Sequence, residues 1–182
     1  MTAYVVSRST YHLPHMKTMI KNIHTISLLV ANKPGVLVRI SLVFARRGFN
    51  IDSLVVSASV NPKYSRMTIT AQGDLATLDQ IIKNCNKLVD VLHAEEHDPS
   101  RSIDQELALI KVKSSPAVKS LLKKFSKKYH AKIIDSTQNT LIISQTSSTA
   151  EADEFETLIK KHHVIEYVRS GKLLMAKGRE TT

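Results

Sequence analysis

Two hydrophobic periods alternate along the chain, and together they predict its elements. "TISLLV" (Thr25 to Val30) places Ile26, Leu28 and Val30 on one side at a period of two, which predicts a strand. From Gly35 to Arg47 the spacing becomes helical, with Leu37, Ile40 and Phe44 on one stripe. Arg46 and Arg47 suit the negative end of this helix, and Gly48 supplies its stop. "IDSLVVSASV" returns to alternation, with Leu54, Val56, Ala58 and Val60 pointing one way. "NPKYS" turns the chain, and "RMTITA" sends Met67, Ile69 and Ala71 inward. Asp74 caps a second helix with Leu75, Leu78, Ile82 and Cys85 on one side, and "LVDVLHAEE" closes the unit as a strand.

The order βαββαβ then repeats. "HDPSRSIDQ" (His97 to Gln105) is polar, holds a proline and reads as the link between two domains. "LALIKV" is the next strand, and Ser115 and Pro116 stand at the cap and first position of a helix with Val118, Leu121, Leu122 and Phe125 inward. "AKIID" and "TLIIS" form a hairpin around "STQN". Ser148 and Glu151 have capping-box spacing ahead of a helix with Phe155, Leu158, Ile159 and His162 on one stripe, and "VIEYVR" is the last strand. The tail after Gly171 carries no strong pattern beyond "LLM". The expected architecture is α+β: two ferredoxin-like βαββαβ sandwiches in tandem, each with four antiparallel strands and two helices on one face. Residues 1–22 read as an unstructured leader, 23–97 as the first domain, 98–105 as the linker and 106–178 as the second domain. Met16 or Met19 is an alternative start.

Composition narrows the function. The chain has 182 residues, 42% of them hydrophobic, which is enough for two small cores. No apolar run approaches the roughly 20 residues that span a bilayer, so a membrane protein is not expected. Cys85 is the single cysteine; it excludes an internal disulfide and a multi-cysteine metal site, and its place on an apolar helix face reads as structural. The formal net charge of +10 suits nucleic acid, an anionic membrane or an acidic partner protein; it is densest in "KSLLKKFSKK", where the lysines ring an amphipathic helix and also read as a solvated face. Independent catalysis has no support, because no Ser-His-Asp, paired-carboxylate or metal-spaced set converges. His162 and His163 are adjacent and cannot form an i, i+4 pair, and "SGK" at 170–172 lacks the rest of a phosphate loop. RNA recognition by this strand order needs aromatic residues on the central strands, and "TISLLV" and "RMTITA" have none.

One junction stands apart. "ANKPGVLVRI" carries a glycine where the equivalent "KSSPAVKSLL" of the second unit does not. A helix start presents N–H groups without internal partners and a partial positive charge, and a glycine there lets an anion reach the backbone. Gly35, Val36 and Leu37 supply that backbone, Asn32 offers a side-chain amide, and the neighbouring Val, Leu and Ile residues give an apolar lining. The set suits a small carboxylate with a short apolar side chain, such as a free aliphatic amino acid. A plain tight turn is the other reading of the same four residues.

Asn32, Gly35, Leu37 and Arg39 match the N-x-x-G-x-L-x-R signature of ACT domains, amino-acid sensing modules of βαββαβ order. "RRGFNIDSLVV", "SRMTI", "KLVDVL", "ELALIKV", "IID" and "VRSG" extend the match, and from about Asn22 to Gly178 the chain resembles the regulatory small subunit of acetohydroxyacid synthase, also called acetolactate synthase. The resemblance implies a non-catalytic subunit that binds the catalytic large subunit, raises its activity and makes it sensitive to valine in branched-chain amino-acid synthesis. It implies a homodimer through the ACT domains, with valine between Asn32, Gly35, Val36 and Leu37 of one chain and Asn50 and Ile51 of the other. Thiamine diphosphate, magnesium and FAD would belong to the catalytic partner, none of them to this chain. Bacterial cytoplasm or plastid stroma is the implied location, with no nucleic-acid or membrane partner. Position 38 is Val38, where bacterial relatives often have a small Ser, and its bulk bears on effector strength and choice. The alternative is an ACT-domain sensor serving another pathway; "ELALIKV" and "VRSG" in the second domain weigh against it.

Overall fold

A computed structural model describes residues 23–179 and residue 182. The expected leader, with its alternative starts, lies outside these residues. The first unit runs β1 (Ile23–Ala31), α1 (Val36–Arg46), β2 (Ile51–Ala58), β3 (Tyr64–Gln72), α2 (Leu75–Cys85) and β4 (Val91–Glu96). The second runs β5 (Ser102–Lys113), α3 (Pro116–Tyr129), β6 (Ala131–Ser136), β7 (Thr140–Ser147), α4 (Thr149–Ile159) and β8 (Val164–Arg169), followed by β9 (Leu173–Ala176). The strand orders are β2-β3-β1-β4 and β6-β7-β5-β8, and every pairing is antiparallel. These are the two α+β ferredoxin-like sandwiches that the alternation predicts.

Each core lies between one face of a sheet and its two helices. Ile26, Leu28 and Val30 of β1 meet Met67, Ile69 and Ala71 of β3 and the inner faces of α1 and α2. In the second unit Ala108, Ile110 and Val112 of β5 pack with Leu141 and Ile143 of β7, and with Val118, Leu122, Phe155 and Ile159 of the helices. Three helices start on the side chains read as caps: Asp74 accepts from Thr77 N, Ser115 accepts from Val118 N, and Ser148 and Glu151 form a reciprocal box.

Five expectations change. The inner stripe of α1 is Val36, Ile40 and Phe44, and Leu37 is exposed. In α2 the buried side is Leu78, Ile81 and Cys85, with Leu75 on the surface and Ile82 half-buried. In β2 Leu54 alone of its alternating set packs on the core, Val56 and Ala58 are exposed, and Val60 lies beyond the strand in the turn. The linker is shorter than 98–105: a 3₁₀ turn, Pro99–Arg101, leads straight into β5, whose residues 102–105 pair with β9 from the tail that carried no pattern. His162 lies past the end of α4, which closes at Ile159, so it is not part of that helix stripe.

The β5–β9 ribbon and the segment before it join the two units. Gly171 adopts φ +84°, and a Cβ there would lie 2.9 Å from the Val55 Cγ2 atom of β2, so the backbone itself rests on the first sheet. Lys172 donates to Thr25 Oγ1 at 3.3 Å.

Asp104 ties the start of β5 to α4, accepting from Thr149 N at 2.9 Å. Burial raises the carboxyl's pKa, but the bond from Thr149 and the charge of Lys172 outweigh it, and the net value is lowered. A depressed carboxylate pKa gives stability above its unfolded value of about 3.9, and that stability is lost as pH falls through the folded value. Asp104→Asn is expected to cost about 1 kcal/mol at about pH 7 and to flatten the acid limb below about pH 4, measured by urea unfolding at several pH values.

Candidate effector site at the start of the first helix

The turn between β1 and α1 is fixed from two sides. Asn32 N donates to Lys63 O, and Ala31 N donates to Asp90 O, each at 2.8 Å. Asn32 Nδ2 donates to Pro62 O at 3.0 Å, which uses the donor end of the amide and leaves its oxygen as an acceptor. Gly35 then takes φ +82°, a left-handed conformation that glycine adopts at little cost.

Among the α-helices of the described residues, α1 alone begins without a side-chain cap, and like α2 and α3 it has no acid in its first turn. Val36 N reaches only Lys33 O, at 3.5 Å, and the amides of Leu37 and Val38 have no carbonyl four residues back within the helix. The charge around the turn is positive on balance. Asp90 takes Arg39 at 2.5 Å and Lys33 at 3.8 Å, so two cations share one carboxylate. Arg39 also lies over the glycine, since a Cβ on Gly35 would sit 3.4 Å from its Nη1. An anion approaching this turn meets free amides, a helix dipole and an excess of positive charge.

The side chains divide the labour. Val36 is 2% exposed and buried in the core, so only its N–H is offered. Leu37 at 40%, Val38 at 62% and Leu42 at 46% instead make an outward apolar face on α1. Both faces of this helix are therefore apolar, which is why spacing alone misassigned Leu37.

Asn50 and Ile51 lie beyond the other end of α1. Eleven helical residues separate them from Gly35, about 16 Å along the axis. Asn50 is exposed and donates to Asp52 Oδ1 at 3.2 Å, while Ile51 is half-buried against the first core. One chain thus gathers Asn32, Gly35, Val36 and Leu37, and leaves Asn50 and Ile51 at a separate place.

Both domains of the chain are similar to known proteins. The family described as "AHAS small subunit-like ACT domain" matches residues 26–93, and that described as "Small subunit of acetolactate synthase" matches residues 105–178. A "probable acetolactate synthase small subunit" of Archaeoglobus fulgidus is 37% identical over 157 residues, covering 86% of this chain and 98% of that protein. The acetolactate synthase small subunit of Mycolicibacterium smegmatis is 36% identical over 155 residues, covering 85% and 91%. The crystal structure of the acetolactate synthase small subunit from Thermotoga maritima superposes with a TM-score of 0.77 at 36% identity, over 87% of this chain and 99% of that one. The chain belongs to the acetolactate synthase small-subunit family.

A small subunit of acetolactate synthase is regulatory rather than catalytic, and it implies a catalytic large-subunit partner. The Cys85 thiol is buried, and desolvation pushes its pKa up to about 11, so it stays protonated and packs as an apolar group. Among the described residues no group of three or more His, Cys, Asp or Glu could hold a metal ion, and no helix is long and apolar enough to cross a membrane. Sequence reasoning missed Asp90 and the Pro62 carbonyl as the supports of the turn. Asp90 sits inside "LVDVL", which reads as strand interior, and a backbone carbonyl leaves no signature in a sequence.

Proposed function

We propose that this chain is the feedback sensor of an acetolactate synthase: it activates the catalytic large subunit and lowers its output when valine binds. The observation that carries the reading is the glycine-led, uncapped start of α1, where α2, α3 and α4 are each capped by a side chain. The effector's carboxylate takes the amides of Val36, Leu37 and Val38. The free oxygen of Asn32 accepts from its ammonium, and Leu37 and Val38 line its side chain. Val38 narrows the space, which favours short branched side chains.

The site is completed by a second copy. Two-fold pairing that sets α1 and β2 antiparallel to their copies brings the Gly35 turn of each chain beside Asn50 and Ile51 of the other. Two features support this pairing: β2 is an edge strand, and α1 carries an outward apolar face beside it. Valine across such a seam biases the arrangement of the two sheets, and it acts through whichever arrangement it binds better. In this reading thiamine diphosphate, magnesium and FAD reside on the large subunit, and the complex works in bacterial cytoplasm or plastid stroma.

Calorimetric titration with valine tests the proposal, with leucine, isoleucine and a straight-chain amino acid as comparators, in the presence and absence of the large subunit. Saturable binding that favours valine is expected, and no valine response in either form sinks the reading. Leu42→Glu is expected to convert the dimer to monomer in analytical ultracentrifugation and to weaken valine binding about tenfold or more, because half of each site is lost. A Leu42→Glu dimer of unchanged strength would place the seam elsewhere.

A further inference from the structure

A half-open cavity lies between the two domains, on the face of the first sheet away from its helices. Its volume is about 410 Å³, within the range of small-molecule sites, and domain junctions are where such sites concentrate. One wall is the β5–β9 ribbon, where Ile103 pairs with Met175 and Gln105 with Leu173. The other wall is Val55 and Ser57 of β2 with Arg66 and Thr68 of β3. The walls are mostly apolar, and Arg66 is the one charged side chain among the described lining residues.

Arg66 is half-buried, and its guanidinium makes no ion pair or side-chain hydrogen bond among the described residues. The acids of the adjoining cleft are already engaged. Glu95 lies within 3.4 Å of His93, Glu96 within 2.6 Å of His24, and Asp98 accepts from Ser100 N. A cation that is partly desolvated without a partner favours an anion beside it. The apolar walls favour a ligand body without charge. Among the described lining residues no acidic side chain answers an ammonium group, which disfavours a free amino acid.

We propose that this interdomain cavity is a binding site for a small aliphatic monocarboxylate, whose carboxylate pairs with Arg66 and whose hydrocarbon body lies against Val55, Ile103, Leu173 and Met175. The site is separate from the turn at Gly35 and stands whichever way the valine titration falls. A molecule bound there touches both domains at once, so it stabilises their present arrangement in proportion to its occupancy.

The test uses the full chain and 4-methylpentanoate as the probe. Comparators are 4-methylpentan-1-ol, which lacks the charge, acetate, which lacks the body, and leucine, which adds an ammonium. Saturable calorimetric binding is expected for 4-methylpentanoate, with each comparator weaker. Arg66→Gln is expected to weaken it about tenfold or more, the worth of a charge-assisted hydrogen bond. Methyl NMR shifts are expected at Val55, Ile103 and Leu173, and Gly35→Asp is expected to leave the affinity unchanged. Absence of saturable binding, binding indifferent to Arg66→Gln, or shifts centred on Leu37 and Val38 would each overturn the assignment.

Discussion

Gly35→Asp is expected to abolish valine inhibition of the reconstituted enzyme while leaving the chain folded. Position 35 has φ +82°, and aspartate tolerates the left-handed region better than most residues, so the backbone cost is about 1 kcal/mol. The new Cβ meets only Arg39 Nη1, at 3.4 Å, the far end of a flexible side chain. The electrostatic effect is larger. Two carboxylates about 4 Å apart repel by about 4 kcal/mol near a protein surface, so valine affinity falls by about a hundredfold or more. Gly35→Asn separates charge from shape, because it carries nearly the same bulk and a similar backbone cost. The expected order of valine affinity is wild type, then Asn, then Asp far below, with the two variants melting alike and a few degrees below wild type. Equal loss in both variants would assign the effect to bulk. Retained inhibition in the aspartate variant would remove the turn from the effector site altogether.

The Asn-Lys-Pro-Gly turn was legible because its signal is local. A glycine between a strand and a helix, with no capping side chain near it, is visible in a few letters. The caps at Asp74, Ser115 and Ser148 were legible for the same reason. Leu37 was not, since α1 is apolar on both sides and spacing cannot say which side faces its own sheet. The role of Asn50 and Ile51 came from family resemblance alone; nothing in their local sequence connects them to a turn about 16 Å away along the helix. Strand β9 was missed because it has four residues and its partner is the polar opening of β5, which resembles a linker. That omission hid the contact between domains, and with it the cavity at Arg66. Features that depend on two distant segments meeting were the ones the sequence concealed.

Arg169 joins three elements of the second domain, and its loss carries the largest expected cost to stability. Its Nε and Nη2 both reach Glu106 Oε2 at 2.7 Å, and its Nη1 reaches Asp153 on α4 at 2.5 Å. Glu106 is only 6% exposed on β5, and its second oxygen accepts from Thr149 Oγ1 at 2.6 Å. Arg169→Met keeps most of the aliphatic packing but strands a carboxylate inside the protein, which costs roughly 3–5 kcal/mol. Glu106→Gln added to Arg169→Met is expected to recover much of this, because a neutral amide costs far less to bury than an unpaired charge. A double-mutant cycle by urea unfolding reads the coupling directly, and additive losses would show that the pair is not the anchor. The consequence extends beyond the second domain. Ser170, Gly171 and Lys172 follow Arg169 without a break, and they bring the backbone onto Val55 and the Lys172 ammonium to Thr25 of the first sheet. Val55 lies on β2, four residues after Ile51, so the arginine anchors the segment that rests on the strand beginning at the second half of the proposed effector site. Arg169→Met is therefore expected to weaken valine inhibition more than valine binding. Equal loss of both would mean that the anchor supports the fold alone and carries no signal between the domains.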